Sequence, residues 1–141
     1  VYYFCYSMHF HIPINRTGFK KIIIIKNMYK HHEESIENMK EFFRNQGVIA
    51  LILIGSVAKG TERENSDLDC AVILSQEEYA KKEKDNITSE TVEGLCTYEG
   101  GYFDVKYMTK EYLKELSEKG SEPARNTFTK SRILSQAVSL I

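Results

Sequence analysis

Two carboxylates spaced two positions apart are the first residues in this sequence that could act together in a reaction. Asp67 and Asp69 stand at the start of a predicted strand over 68–74. Side chains two apart on a strand share one face, so we expect both carboxylates on the same face. Paired carboxylates repel each other when both are ionised, and a cation between them relieves that repulsion. Hard oxygen ligands of this kind suit Mg²⁺ together with phosphate oxygens, with two ordinary surface acids as the alternative reading.

A glycine-serine turn follows the preceding apolar segment. Residues 48–54 are apolar at every position, which predicts a central strand covered on both faces. Gly55 allows the backbone to turn and a ligand to approach closely, while Ser56 and the neighbouring amides can face a phosphate oxygen. Lys59 could add a positive charge, and Gly60 permits the next turn. A plain strand-to-helix connection is the alternative, and a Walker-type loop does not fit because Lys59 precedes Gly60.

A third acid lies in the predicted strand 102–108. Alternation places Asp104 and Lys106 on one face of this strand. The opposite, apolar face carries Phe103, Val105 and Tyr107. If this strand pairs beside 68–74, Asp104 joins the other two acids. Three carboxylates on adjacent strands can hold the two divalent ions that promote in-line phosphoryl or nucleotidyl transfer.

The combined pattern resembles the polymerase-β-type nucleotidyltransferase superfamily over roughly residues 28–134. Its parts are Gly55-Ser56, Lys59-Gly60, Ser66-Asp67-Leu68-Asp69 and the later Asp104. The stretch 97–125 is similar to bacterial stand-alone nucleotidyltransferases of the antibiotic-modifying kind. The resemblance implies the nucleotidyltransferase fold, an α/β (α+β) domain in which helices flank a small mixed sheet.

The resemblance also implies residue roles. Asp67 and Asp69 would bind both metal ions, and Asp104 would bind the catalytic one and could accept a proton. The nucleotide-binding residues would be Gly55, Ser56, Lys59, Gly60 and Ser66. The implied cofactor is Mg²⁺, as two ions, with Mn²⁺ as the alternative. The implied reaction transfers a nucleoside monophosphate from a nucleoside triphosphate such as ATP to a hydroxyl acceptor and releases pyrophosphate.

Three functions remain open at this point. The first is modification of a small hydroxyl compound, such as an aminoglycoside-like antibiotic. The second is a minimal enzyme of the antitoxin type that nucleotidylates a partner protein, which the small size favours. The third is an inactive remnant or binding module, which would have no reason to keep all three carboxylates together with the Gly55-Ser56 turn.

Length, charge and cysteine content narrow the class of protein. The chain has 141 residues, enough for one domain, with 19 basic and 20 acidic side chains. This balance argues against a nucleic-acid or membrane partner. The widely spaced cysteines, Cys5, Cys70 and Cys96, argue against a disulfide framework and favour the cytoplasm. Residues 1–27 read as an N-terminal extension, with an extra strand as the alternative. Residues 28–141 read as the catalytic domain. We expect it to lack the helical C-terminal domain that completes the acceptor site in relatives of this kind.

Further elements must hold the site in place. Helical spacing predicts helices over 33–46 and 110–119, and residues 76–84 read as a polar helix or a helical loop. Residues 90–96 read as a strand that is joined to the strand 102–108 by a turn near 99–101. In the helix over 110–119, Tyr112, Leu113 and Leu116 should point inward. Ser121 and Pro123 predict a further helix with Arg125 in its first turn, where it could touch a phosphate or simply lie on the surface. Cys70 should face the core, whereas adjacent His31 and His32 should be solvated.

Overall fold

Five strands form one mixed sheet, which the computed structural model describes within residues 28–136. The extension expected over 1–27, like residues 137–141, lies outside the described residues. The strands are β1 (Val48–Ile54), β2 (Leu68–Leu74), β3 (Ser89–Val92), β4 (Phe103–Thr109) and β5 (Arg132–Gln136). The helices are α1 (Lys30–Phe43), α2 (Gly55–Lys59), α3 (Gln76–Lys84), α4 (Lys110–Lys119) and α5 (Glu122–Thr127). No helix in this part of the chain is long and apolar enough to span a membrane.

The order of strands across the sheet is β3-β4-β2-β1-β5. Strand β1 pairs antiparallel with both β2 and β5, and β3 pairs antiparallel with β4. The central pair, β2 and β4, is parallel. The expected small mixed sheet flanked by helices is therefore confirmed, and its parallel pair joins the two strands that carry the acidic residues.

Both faces of the sheet bury apolar side chains. The larger cluster contains Leu53, Cys70 and Val105 from the strands, together with Met39 and Phe43 from α1. The smaller cluster covers the other face, and it contains Ile52, Ile54, Ala71, Ile73 and Met108. The central strand β1 contributes to both clusters, as its continuous apolar run predicts, and Cys70 is buried in the core as expected.

Helix α1 packs on the face with the larger cluster. Its inward residues Ile36, Met39 and Phe43 are spaced by three or four positions, so they form one apolar stripe along the helix. The helix begins and ends three residues earlier than predicted. The earlier start places His31 and His32 in the first turn of the helix, which changes the contacts that these residues make.

The structure corrects four expectations about the elements around the sheet. Strand β3 ends at Val92 rather than residue 96, and residues 93–102 form a long connection instead of a tight hairpin. Tyr112 on α4 is 52% exposed rather than inward, whereas Leu113 packs against the core. Helix α5 has only six residues, so Arg125 lies in its last turn and is exposed. Strand β5 was not predicted, because its side chains are mostly exposed and lack clear alternation.

Candidate functional site

Three acidic residues lie at the end of the sheet where β2 and β4 begin and β1 ends. In the parallel pairing, Asp69 on β2 lies directly opposite Asp104 on β4. On its other side Asp69 pairs with Ile54, the last residue of β1. Asp67 does not lie on the strand as expected, because β2 begins only at Leu68, but it is close to the same end of the sheet. The expected pairing of the strand 102–108 beside 68–74 is therefore found, and it brings Asp69 and Asp104 together.

Gly55 leaves room for the Asp69 carboxylate. Its φ is +73°, in the left-handed region that L side chains rarely adopt. A Cβ atom at this position would lie 2.9 Å from Cγ of Asp69 and closer still to one carboxylate oxygen. Both the backbone angle and the lack of a side chain are therefore required where β1 meets α2.

The charges at this edge act on one another. Burial raises the pKa of the Asp69 carboxyl, and the negative charges of Asp104 and Asp67 raise it further. Lys106, exposed two residues after Asp104 on the same strand, lowers it. Net repulsion among half-buried acids is the condition that a bound cation relieves. Carboxylate oxygens are also of the chemical type that binds divalent cations.

The segment that begins at Gly55 is a single short helix rather than an open turn. Ser56 is its second residue and Lys59 its last, and both are half-buried. Gly60 ends the helix with a left-handed φ of +72°, and no atom lies within 4 Å of the position a Cβ would take. The Ser56 carbonyl accepts the N–H of Thr61 at 3.0 Å, which folds the chain back beside the site. Nucleotide contacts by these residues remain a prediction.

Ser66 builds the loop that leads to Asp67. Its hydroxyl accepts the N–H of Arg63 at 2.9 Å, and its own N–H donates to the Arg63 carbonyl at 3.1 Å. At the far end of the loop, the N–H of Leu68 donates to the Tyr102 carbonyl at 3.1 Å. The polar groups of Ser66 therefore shape the backbone here, and its expected contact with a nucleotide remains a prediction.

The two histidines are not solvated as the sequence predicts. His32 is fully buried and His31 half-buried, and their ring centroids are 4.4 Å apart. His31 Nε2 donates to the Glu64 carbonyl at 2.7 Å, and His32 Nε2 donates to the Ser66 carbonyl at 3.1 Å. Helix α1 begins early enough to pack both rings onto the loop, which is the physical reason for the error.

Two tyrosines that the sequence did not single out also reach this loop. Tyr98 donates its hydroxyl to the Ser66 carbonyl at 2.6 Å. Tyr102 forms a side-chain hydrogen bond with Asp67, which raises the pKa of the Tyr102 hydroxyl. The nearest signal in the sequence is that Tyr102 lies two residues before Asp104. Nothing local marks Tyr98, because it lies 32 positions from its partner.

The remaining expectations about the site concern metal binding and phosphate binding. Within residues 28–136, no three His, Cys, Asp or Glu side chains are already close enough together to hold a metal ion. The structure gives exposed Arg125 no contact with the acidic residues, and its expected contact with a phosphate remains a prediction. The metal-binding roles of Asp67, Asp69 and Asp104 likewise remain predictions, to be judged by experiment.

One comparison with known proteins bears directly on this geometry. Residues 37–134, more than half of the chain, match the family model described as Polymerase beta, Nucleotidyltransferase. A search of the curated proteins gave no match. The matched range includes every residue of β1, β2 and β4, and therefore Asp67, Asp69 and Asp104 as well.

Proposed function

The chain belongs to the polymerase-β nucleotidyltransferase family, and on this premise we propose that it transfers a nucleoside monophosphate from a nucleoside triphosphate to a hydroxyl group of a small molecule, with release of pyrophosphate. The observation that carries the proposal is the parallel register of Asp69 and Asp104, with Asp67 immediately before the strand. Three acids at one end of a sheet are suited to hold divalent cations beside a triphosphate.

The residues present fit Mg²⁺, with Mn²⁺ as the alternative ion. Asp67 and Asp69 would hold both ions, and Asp104 would hold one of them. When bound, the ions would neutralise charge on the phosphates and lower the pKa of the acceptor hydroxyl. The room left by Gly55 keeps the Asp69 carboxylate beside the end of β1, next to the segment that would meet the triphosphate.

The remaining steps fall to groups of the chain itself. The Ser56 hydroxyl and nearby amides would donate hydrogen bonds to phosphate oxygens, and Lys59 would add a positive charge. Asp104 would accept the proton of the acceptor hydroxyl as the oxygen–phosphorus bond forms. The bond between the α-phosphorus and the bridging oxygen then breaks, and pyrophosphate leaves with the electron pair. Catalysis of this kind rests mainly on positioning and charge neutralisation.

Nucleotide binding and transfer can be tested separately. Calorimetry with non-hydrolysable ATP and GTP analogues, with and without Mg²⁺, should show Mg²⁺-dependent binding that Asp69→Asn and Asp104→Asn abolish. Asp85→Asn is the matched control, since Asp85 is an exposed acid after α3, beyond the opposite end of β2. Pyrophosphate release is then measured against a panel of aminoglycoside-like hydroxyl compounds.

Turnover and binding measurements on the wild type and these variants can also contradict the proposal. Loss of one metal-binding carboxylate should lower turnover by at least about 100-fold, since charge stabilisation worth several kcal/mol is removed. A well-folded wild type that binds neither nucleotide analogue in Mg²⁺ would overturn the proposed activity. Unchanged turnover in Asp69→Asn would remove Asp69 from the mechanism.

A further inference from the structure

Asp67 differs from the other two acids in how its backbone is held. Asp69 and Asp104 lie inside paired strands, so the register of the sheet fixes their positions. Asp67 lies outside β2, at the end of the loop that follows α2. A carboxylate on a loop needs other contacts to hold it within the tolerance of a metal site, which is a few tenths of an ångström.

Three rings donate side-chain hydrogen bonds to the backbone of this loop, and they are here named the aromatic clamp: His31, His32 and Tyr98. The Ser66 carbonyl, adjacent to Asp67, accepts hydrogen bonds from both His32 Nε2 at 3.1 Å and the Tyr98 hydroxyl at 2.6 Å. His31 Nε2 donates to the Glu64 carbonyl at 2.7 Å. Because a carbonyl oxygen can only accept, each histidine carries its hydrogen on Nε2.

The rings of the clamp also pack on one another. The ring centroid of Tyr98 lies 4.6 Å from that of His31 and 5.2 Å from that of His32. Gly101 allows this arrangement, because a Cβ atom there would come within 2.6 Å of the Tyr98 ring. Close ring packing restricts the rotamers of all three side chains, so the hydrogen bonds to the loop start from fixed donors.

Helix α1 and the connection that carries Tyr98 are themselves joined. The N–H of Thr97 donates to the hydroxyl of Ser35 at 3.0 Å, and that hydroxyl donates to the His31 carbonyl at 2.6 Å. The side chain of Ser35 is fully buried, so these bonds are shielded from water. The two segments that carry the clamp are thus bonded directly to each other.

We propose that Tyr98 and His32 are positioning residues that hold Asp67 in place for cation binding by fixing the Ser66 carbonyl. The part of this proposal that concerns the cation rests on the proposed function, whereas the part that concerns the loop does not. Residues that hold a metal ligand in place through a second contact typically contribute 10- to 100-fold to metal affinity. The side chains act through the backbone of Ser66 and need not touch substrate.

The first variant is Tyr98→Phe, which removes one hydroxyl and keeps the ring. We expect faster amide hydrogen exchange in residues 61–67 of the metal-free protein, and about tenfold weaker Mn²⁺ binding. Tyr79→Phe is the matched control, since Tyr79 is a half-buried tyrosine on α3, which follows the opposite end of β2. It should leave both quantities at their wild-type values.

The second pair of variants tests the buried histidine. His32→Gln retains an N–H donor near the position of Nε2, while His32→Leu removes it. We expect His32→Gln to restore most of the Mn²⁺ affinity that His32→Leu loses, with thermal midpoints compared to exclude unfolding. A general packing role would make the two variants alike.

The possible outcomes separate the two proposals. Wild-type exchange in residues 61–67 of Tyr98→Phe would overturn the clamp, whatever the protein binds. Faster exchange with unchanged Mn²⁺ affinity would overturn its role in positioning Asp67. A wild type that binds no Mn²⁺, with or without a nucleotide analogue, would overturn the proposed function, and the exchange comparison alone would then decide on the loop.

Discussion

The backbone of Gly55 lies against the carboxylate of Asp69, so that even one methyl group on Gly55 would overlap it. The two residues are 14 positions apart, and the antiparallel pairing of β1 and β2 brings them together at Ile54 and Asp69. The left-handed φ of Gly55 turns the chain away from the sheet at the same point. A single glycine therefore both turns the chain and leaves room for the Asp69 carboxylate.

Replacement of this glycine should destabilise the protein more than a matched replacement five residues later. Gly60→Ala places a side chain at φ +72° in open space, so it should cost about 1–2 kcal/mol for the backbone alone. Gly55→Ala has the same backbone cost and must also displace Asp69, which adds about 1–3 kcal/mol. Urea unfolding measures both differences. Equal destabilisation by the two variants would show that the contact with Asp69 carries no energy.

Stability should depend on pH through Asp69 when no divalent cation is present. Burial and the charges of Asp104 and Asp67 raise the pKa of this carboxyl above its ordinary value of 3.8. The folded protein therefore binds the proton more tightly than the unfolded chain does. It loses stability as the pH rises from about 4 through the raised pKa.

Asp69→Asn should remove this loss, so the variant should unfold at a higher urea concentration than the wild type at pH 7. At pH 3, where Asp69 is protonated in both states, the difference should shrink. Addition of Mn²⁺ should stabilise the wild type and leave Asp69→Asn unchanged, because only the folded wild type would bind the ion. A wild type more stable than Asp69→Asn at pH 7 without metal contradicts the sign.

The two described cysteines should differ in their reaction with thiol reagents. Burial raises the pKa of the Cys70 thiol to about 12, and this side chain is fully buried in the core. At pH 8 only about one molecule in ten thousand would carry the Cys70 thiolate. Cys96 is half-buried, so it should be alkylated first.

Peptide mapping by mass spectrometry after brief treatment with iodoacetamide distinguishes the two sites. Modification of Cys70 should appear only when denaturant is added, and Cys96 should be modified in the folded protein. Equal labelling of both in native conditions would contradict the burial of Cys70.

Two adjacent phenylalanines at the end of α1 offer a direct test of the core. Phe43 is 2% exposed and Phe42 is 43% exposed, and their rings meet edge to face at 4.9 Å. Phe43→Ala should cost about 3–5 kcal/mol in free energy of unfolding, as for other buried aromatic residues. Phe42→Ala is the matched control and should cost much less. Similar losses in both variants would contradict the assignment of Phe43, rather than Phe42, to the apolar stripe of α1.

Local patterns in the sequence were sufficient for the elements with a strong period. The apolar run of β1, the alternation in β4 and the stripe of α1 each follow from burial of one or both faces. The same reasoning failed for β5, whose exposed side chains show no period. It failed also for Tyr112, because helix α4 buries a narrower stripe than the pattern suggests.

The sequence by itself determined the family and the acids at the candidate site. The residue spacing predicted Asp69 on a strand and Asp104 on the side of the next strand away from its apolar face, and the family match over residues 37–134 confirms the family. The spacing wrongly placed Asp67 on the strand as well, because the pattern cannot show that β2 begins only at Leu68. Only the tertiary structure decided the parallel register of Asp69 with Asp104, the room that Gly55 leaves, and the burial of His32 beside Tyr98. These contacts join residues 14 to 66 positions apart, and packing alone selects them, because no local period links such distant parts of a chain.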